Sequence, residues 1–309
     1  MSHQNAQARI GLALGSGSAR GWAHIGVIKA LEEIGIKPDI VCGTSIGALV
    51  GGMYVTDNLD KLHHWLLSLD KKEMIKLLDV GLLTKGGLIE GKNLIHFFNS
   101  HMGNYLIEEL EIDYASIATN LNNGQEVWIK TGQIHDAIRA SMALPGLFTP
   151  VDHNDTWLVD GGLVNPVPVS TCRAMGASKV IAVNLNGDIL GKHLNNSHPE
   201  HNQKFQKVTE QTILSHFSRK ISGKASSIYS DLFDNNSSQP GVFDVLASSI
   251  NIMQDRITRS RMAGDPPDII LAPKLAHIGL MEFDRAEEAI DAGKKAVLQL
   301  RPILEEFCS

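Results

Sequence analysis

Apolar positions along the chain follow two alternating rhythms. Residues 10–14 form a short unbroken apolar run that stops at Gly15, the pattern of a buried strand. Residues 22–34 then place Ala23, Val27, Ala30, Leu31 and Ile34 on one face of a helix, and Gly35 supplies the stop. Residues 40–42 repeat the strand pattern after Pro38, and residues 46–54 repeat the helix. Strand, loop, helix, strand, turn, helix is the order of a parallel α/β sheet.

The rhythm continues more loosely. Leu62, Leu66, Leu69 and Leu77 predict a helix within 59–79, with another over 91–100. Residues 114–119 and 126–130 read as strands, 135–141 as a short helix ending before Pro145, and 156–159 as a strand running into Asp160-Gly161-Gly162. A helix over 169–175 and a strand over 179–184 follow. Residues 187–206 are rich in Asn, His and Lys and poor in apolar side chains, which predicts an exposed insertion. Residues 208–235 are a polar helix candidate. Phe243, Leu246, Ala247, Ile250 and Met253 resume helical spacing, 268–271 is a last strand, and 285–307 a closing amphipathic helix. No internal repeat is visible. Sheet elements at both ends of the chain favour one domain over residues 8–309, with a polar insertion or lid candidate at about 187–240.

Composition narrows the function classes. Of 309 residues, 43% are hydrophobic and 20% charged, which is ordinary for a globular protein. A net charge of −6 argues against nucleic acid as the main partner. The three cysteines, Cys42, Cys172 and Cys308, are far apart and lack CxxC spacing, so neither a disulfide framework nor a zinc site is expected. A reducing, cytoplasmic setting is the expectation. The N-terminal apolar stretch is short for a secretory signal. No run reaches the roughly 18 apolar residues of a membrane span, so any membrane contact would be peripheral.

The candidate chemistry lies at the strand ends. Gly43-Thr44-Ser45-Ile46-Gly47 sits between a buried strand and a helix and fits the GxSxG nucleophile elbow. Such a turn strains the backbone at the serine, excludes side chains at Gly43 and Gly47, and sets the hydroxyl at a positive helix end. A plain N-cap role for Ser45 is the alternative. Gly15-Ser16-Gly17-Ser18-Ala19-Arg20-Gly21 follows the first strand, and such a loop can aim backbone N–H groups at an oxyanion. A dinucleotide fingerprint fits only half: Arg20 stands where its last glycine belongs, and Cys42-Gly43 where its acidic residue belongs.

A serine needs a base. None of the thirteen histidines is well placed: His24 lies on the first helix, His63 and His64 on a surface helix, His193, His198 and His201 in the polar insertion, and His277 is the best of a weak set. Asp160 ends a strand and is followed by Gly161 and Gly162, which permit close backbone approach. It could accept the serine proton if desolvation raised its pKa, and it reads equally as a turn aspartate. Arg20 could anchor the loop, greet a phosphate head group or form a structural ion pair. Cys42 faces the core.

Three motifs together resemble the patatin-like phospholipases, in particular the compact bacterial single-domain subgroup: Gly15-x-Gly17-x-x-Arg20-Gly21, Gly43-Thr44-Ser45-Ile46-Gly47 and Asp160-Gly161-Gly162. Residues 139–146 and 165–168 are similar to family stretches flanking the aspartate. The likeness is strong over residues 8–186. It implies a three-layer α/β/α fold with a mostly parallel central sheet. It implies a Ser45–Asp160 dyad without histidine and an oxyanion hole in Gly15, Ser16, Gly17 and Ser18. Hydrolysis of lipid acyl esters would then need no metal or other cofactor. A carboxylesterase or thioesterase using the same dyad remains open, as does a non-catalytic module binding lipid or a protein partner.

Overall fold

The computed structural model describes residues 8–69, 73, 80–84, 87–89, 103–188, 242–280 and 282–308. The helices expected within 91–100 and 208–235 lie outside them, as do residues 189–240 of the insertion. The chain divides into two compact units, one of Met1–Asp188 with Gln254–Ser309 and the other of Ile189–Met253. The strands described below all lie in the first unit.

Its main sheet is built from β1 (Ile10–Leu14), β2 (Ile40–Thr44), β5 (Asp113–Asn120), β6 (Glu126–Ile129), β8 (Val151–His153), β9 (Thr156–Asp160), β10 (Lys179–Val183) and β11 (Ile269–Leu271). The run β11-β10-β1-β2-β5 is parallel throughout, and β6, β8 and β9 join antiparallel at the far end. A small second sheet pairs β3 (Val80–Thr84), β4 (Gly87–Ile89) and β7 (Gly146–Phe148).

Alternation along the parallel strands sends side chains to two cores. Leu12, Leu14, Val41, Tyr114, Ile181 and Val183 pack on one face against α1 (Ala23–Glu33), α2 (Ile46–Val55), α3 (Leu59–Ser68), α4 (Ile134–Ser141) and α7 (Ala286–Gln299). Ala13, Cys42, Ala115, Val180 and Ala182 face the other way, towards α5 (Val169–Ala174) and Cys172. The result is the expected α/β/α layering around a mostly parallel sheet. Among the described residues, no helix is long and apolar enough to cross a membrane.

Several elements differ from the sequence pattern. The closing helix is two, α7 and α8 (Arg301–Cys308), separated at Leu300. Pro302 supplies no N–H to continue α7 and fits the first turn of a new helix. The helix expected over 59–79 is seen as Leu59–Ser68, with most of its remainder outside the described residues. Strands β7 and β8 were not visible as patterns because each has only three residues. Part of the expected glycine loop is a 3-10 turn, Ser18–Trp22. In α6 (Val242–Gly264), Met253 is exposed while Gln254, Asp255 and Thr258 are buried, the reverse of what hydropathy predicts.

Strand β5 is paired along both of its edges. β6 pairs with Ser116–Thr119 and so occupies one edge. β2 pairs with Asp113–Ile117 and β9 with Ala118–Asn120. Both overlap the β6 partners, so β2 and β9 share the opposite edge of β5, one after the other. They approach from opposite directions and meet end to end where Ile117 gives way to Ala118. Ser45 is the residue after β2, and Asp160 is the last residue of β9.

Candidate active site

Ser45 adopts φ 58° and ψ −123°. This positive-φ conformation is costly for a residue with a Cβ and persists only where its surroundings enforce it. The enforcement is visible. A side chain at Gly43 would lie 2.4 Å from the Gly47 carbonyl oxygen, and one at Gly47 would lie 2.2 Å from the Leu14 carbonyl oxygen. Strand β2 and helix α2 can therefore turn this tightly only with glycine on both sides. We expect Gly47→Ala to lower thermal stability by about 2 kcal/mol or more, since the added methyl meets immovable backbone. Differential scanning calorimetry against the unaltered protein checks this.

The Ser45 carbonyl opens α2 by accepting from the N–H groups of Ala48 and Leu49. The Ser45 N–H donates to Ser141 Oγ at 2.8 Å, and Ser141 Oγ in turn donates to the Ile117 carbonyl. Ser141 is fully buried. It straps the elbow to β5 at the point where β2 and β9 meet. Thr44 Oγ1 donates to the Asn165 carbonyl at 2.8 Å, tying the elbow to the segment after the aspartate motif.

The Ser45 hydroxyl donates to Asp160 Oδ2 at 2.6 Å. The other carboxylate oxygen, Oδ1, accepts from the Gly162 N–H at 2.7 Å. Asp160 is anchored further by its own N–H to the Ala143 carbonyl and by Thr119 Oγ1 to its carbonyl. A side chain at Gly161 would lie 2.2 Å from the Ile117 carbonyl oxygen, so only glycine allows β9 to end this close to β5. Asp160 is 1% exposed. Burial pushes its pKa up to about 6, against the lowering effect of the Ser45 and Gly162 hydrogen bonds. That value suits a base working near neutrality.

The glycine-rich loop divides into used and unused donors. The Gly15 N–H donates to the Val183 carbonyl and the Ser16 N–H to the Pro166 carbonyl. The Ala19 N–H and the Ser18 hydroxyl both go to the Leu280 carbonyl. Among the described residues, the N–H groups of Gly17 and Ser18 have no such partner. Ser18 is held at φ 51°, where the loop turns into its 3-10 segment. Gly21 makes room for Ile46, whose side chain would lie 2.1 Å from a Cβ there, so this loop packs directly on the elbow helix.

Arg20 is 2% exposed. Burial lowers its pKa to about 10, and Asp188 acts in the opposite direction. It lies within the loop's packing, not on the surface. Cys42 is fully buried, and burial together with the Cys172 thiol pushes its pKa well up, which fits a core thiol.

No described histidine hydrogen bonds to Ser45 or Asp160. His63 pairs with Lys29, His64 with the Asp60 carbonyl, and His277 with Glu288 at the surface. His193, His198 and His201 lie outside the described residues. His24 serves the glycine loop instead. It is completely buried, with Nε2 2.7 Å from the Gly15 carbonyl oxygen. Burial pulls its pKa down to about 4, so it is neutral and donates through Nε2 to steady the loop. Its place on the loop-facing side of α1, nine residues after Gly15, was the available signal. Ser141 offered less, because nothing in the local sequence shows that α4 ends against the elbow and β5.

These features belong to a recognisable family. The family model described as patatin-like phospholipase matches residues 12–173. The chain belongs to this family and is by class a hydrolase of lipid ester bonds. An uncharacterised NTE family protein of Mycobacterium tuberculosis is 30% identical over 94% of this chain and 91% of its own length. The lysophospholipase NTE1 of Saccharomyces cerevisiae is 36% identical over 57% of this chain, which spans only 11% of that larger protein. Among solved structures, VipD from Legionella pneumophila aligns over 96% of this chain and 67% of its own, at 12% identity and a TM-score of 0.43, too distant to add to the assignment.

Proposed function

We propose that the protein hydrolyses acyl esters of phospholipids or lysophospholipids through a Ser45–Asp160 dyad and a covalent acyl-enzyme. The 2.6 Å hydrogen bond between Ser45 Oγ and a buried Asp160 carboxylate carries this reading. Ser45 Oγ attacks the acyl carbonyl as its proton passes to Asp160 Oδ2. The N–H groups of Gly17 and Ser18 receive the oxyanion, a narrower set than the sequence implied because those of Gly15 and Ser16 are already bonded within the fold. Asp160 returns the proton to the departing alcohol as the ester C–O bond breaks. Water then attacks the acyl-serine, giving its proton to Asp160. Collapse of the second tetrahedral intermediate restores the Ser45 hydroxyl and frees the fatty acid. Arg20, Gly21, Gly43, Gly47, Gly161 and Gly162 hold these groups in place. The lysophospholipid part of the proposal draws on the yeast relative, described as a lysophospholipase.

The test is covalent. A fluorophosphonate should add to the purified protein once, on the peptide containing Ser45, with no adduct on Ser45→Ala. Labelling at another residue, or none on a folded protein, would remove Ser45 from this role and favour the binding-module alternative.

A further inference from the structure

Helix α6 carries a buried glutamine into the space between two loops that the family match reaches, although the helix itself lies beyond that match. Gln254 is 5% exposed. Its Oε1 accepts from Ser16 Oγ at 3.0 Å and from Asn186 Nδ2 at 3.4 Å. These two donors fix the orientation of the side-chain amide, so Nε2 must point the other way. There it meets Gly162: a Cβ at that glycine would lie 2.4 Å from Gln254 Nε2 and 2.9 Å from Asp160 Oδ1. One side chain thus touches the loop bearing the free N–H groups and the loop bearing the carboxylate. The helix is seated by a second polar link two turns along the same face: Arg261 donates to Glu126 Oε2, and Glu126 Oε1 accepts from Asn165.

We propose that Gln254 is a positioning residue for the hydrolytic reaction, clamping the oxyanion loop through Ser16 to the Asp160-Gly161-Gly162 turn. This rests on the reading of Ser45, Asp160 and the glycine loop as the reacting groups. The clamp matters because the loop and the turn come from strands β1 and β9, which are not neighbours in the sheet. Small displacements between nucleophile, base and oxyanion donors are expensive in rate. Among the described residues, the Gly162 N–H donates to Asp160 Oδ1, and Gly162 is the residue that Gln254 Nε2 packs against. No charged side chain contributes to the Asp160 shift: Arg20 on the glycine loop senses Asp188, and Asp255 on α6 is paired with Arg259.

The experiment is a double-variant cycle on the full chain with a soluble chromogenic short-chain ester. Gln254→Leu should lower kcat by about tenfold or more with KM within about twofold. Ser16→Ala reads the same link without altering the helix and should lower kcat in the same way. The double variant should lose no more than Gln254→Leu alone, since both break one connection. Gln254→Glu keeps an acceptor for Ser16 but sets a negative charge near Oδ1. It should move the acidic limb of the pH–rate profile up by about one pH unit. Gln254→Leu within about twofold of the unaltered kcat, or fully additive losses, would overturn the clamp. An unaltered enzyme with no acidic limb would count against Asp160 as the base, and the cycle in kcat would still decide the clamp.

Discussion

Ser45→Ala is expected to lower kcat on any ester substrate by about 10⁴-fold or more while leaving the fold intact. The change removes the oxygen proposed to attack, and Cys42, three residues away, cannot replace it because it is fully buried with a raised pKa. The elbow itself does not depend on the hydroxyl. The bond from the residue-45 N–H to Ser141 and the bonds from Ala48 and Leu49 to its carbonyl all use backbone atoms of residue 45. Thermal unfolding of the variant should therefore lie close to that of the unaltered protein, and hydrolysis of a lysophospholipid is the readout. Retained turnover would refute the mechanism.

Asp160→Asn should produce two opposite effects. Activity falls by about 10²–10⁴-fold, because an amide cannot take the serine proton. Stability at alkaline pH rises. The folded-state pKa of Asp160 is about 6 against 3.8 for a free carboxyl. For a pKa raised on folding, the associated stability is complete below the unfolded value and is lost as pH climbs through the folded one. Above pH 6 the protein thus carries a buried, ionised carboxylate at a cost on the order of 3 kcal/mol. Asparagine avoids that cost. The variant should melt above the unaltered protein at pH 8, and the gap should shrink as pH falls below 6. The same titration predicts that kcat/KM of the unaltered enzyme declines on the acid side with an apparent pKa near 6. A stabilised but inactive variant would follow the usual opposition between function and stability at reacting groups.

Much of this site could be read from local sequence because its parts are local. The strand before Gly43, the helix after Ile46 and the paired glycines each constrain the chain within a few residues. Asp160 was ambiguous because a turn aspartate and a buried base look alike until the neighbours are known. Its burial depends on Ile117 and Ala118, more than 40 positions earlier. The occupied N–H groups of Gly15 and Ser16 were hidden for the same reason, since their acceptors, Val183 and Pro166, are remote in the chain. Gln254 was invisible to hydropathy, which ranks a glutamine as a surface residue. The break at Leu300 was readable in principle from Pro302. Strands β7 and β8 fall below the length at which alternation means anything, though the Asn154-Asp155 turn between β8 and β9, both residues at positive φ, was a usable hairpin signal.

Along the shared edge of β5, the spacing of Ser45 and Asp160 is kept by counting. Two strands are laid on one template from opposite ends, and their hydrogen bonds mark off residues like divisions on a ruler. The gap between Ser45 and Asp160 is therefore fixed by integer lengths: five pairings for β2, three for β9, with nothing left over. Loops between residues 45 and 160 can lengthen or shorten without touching that sum. A residue added to the end of either strand has nowhere to go except into the other.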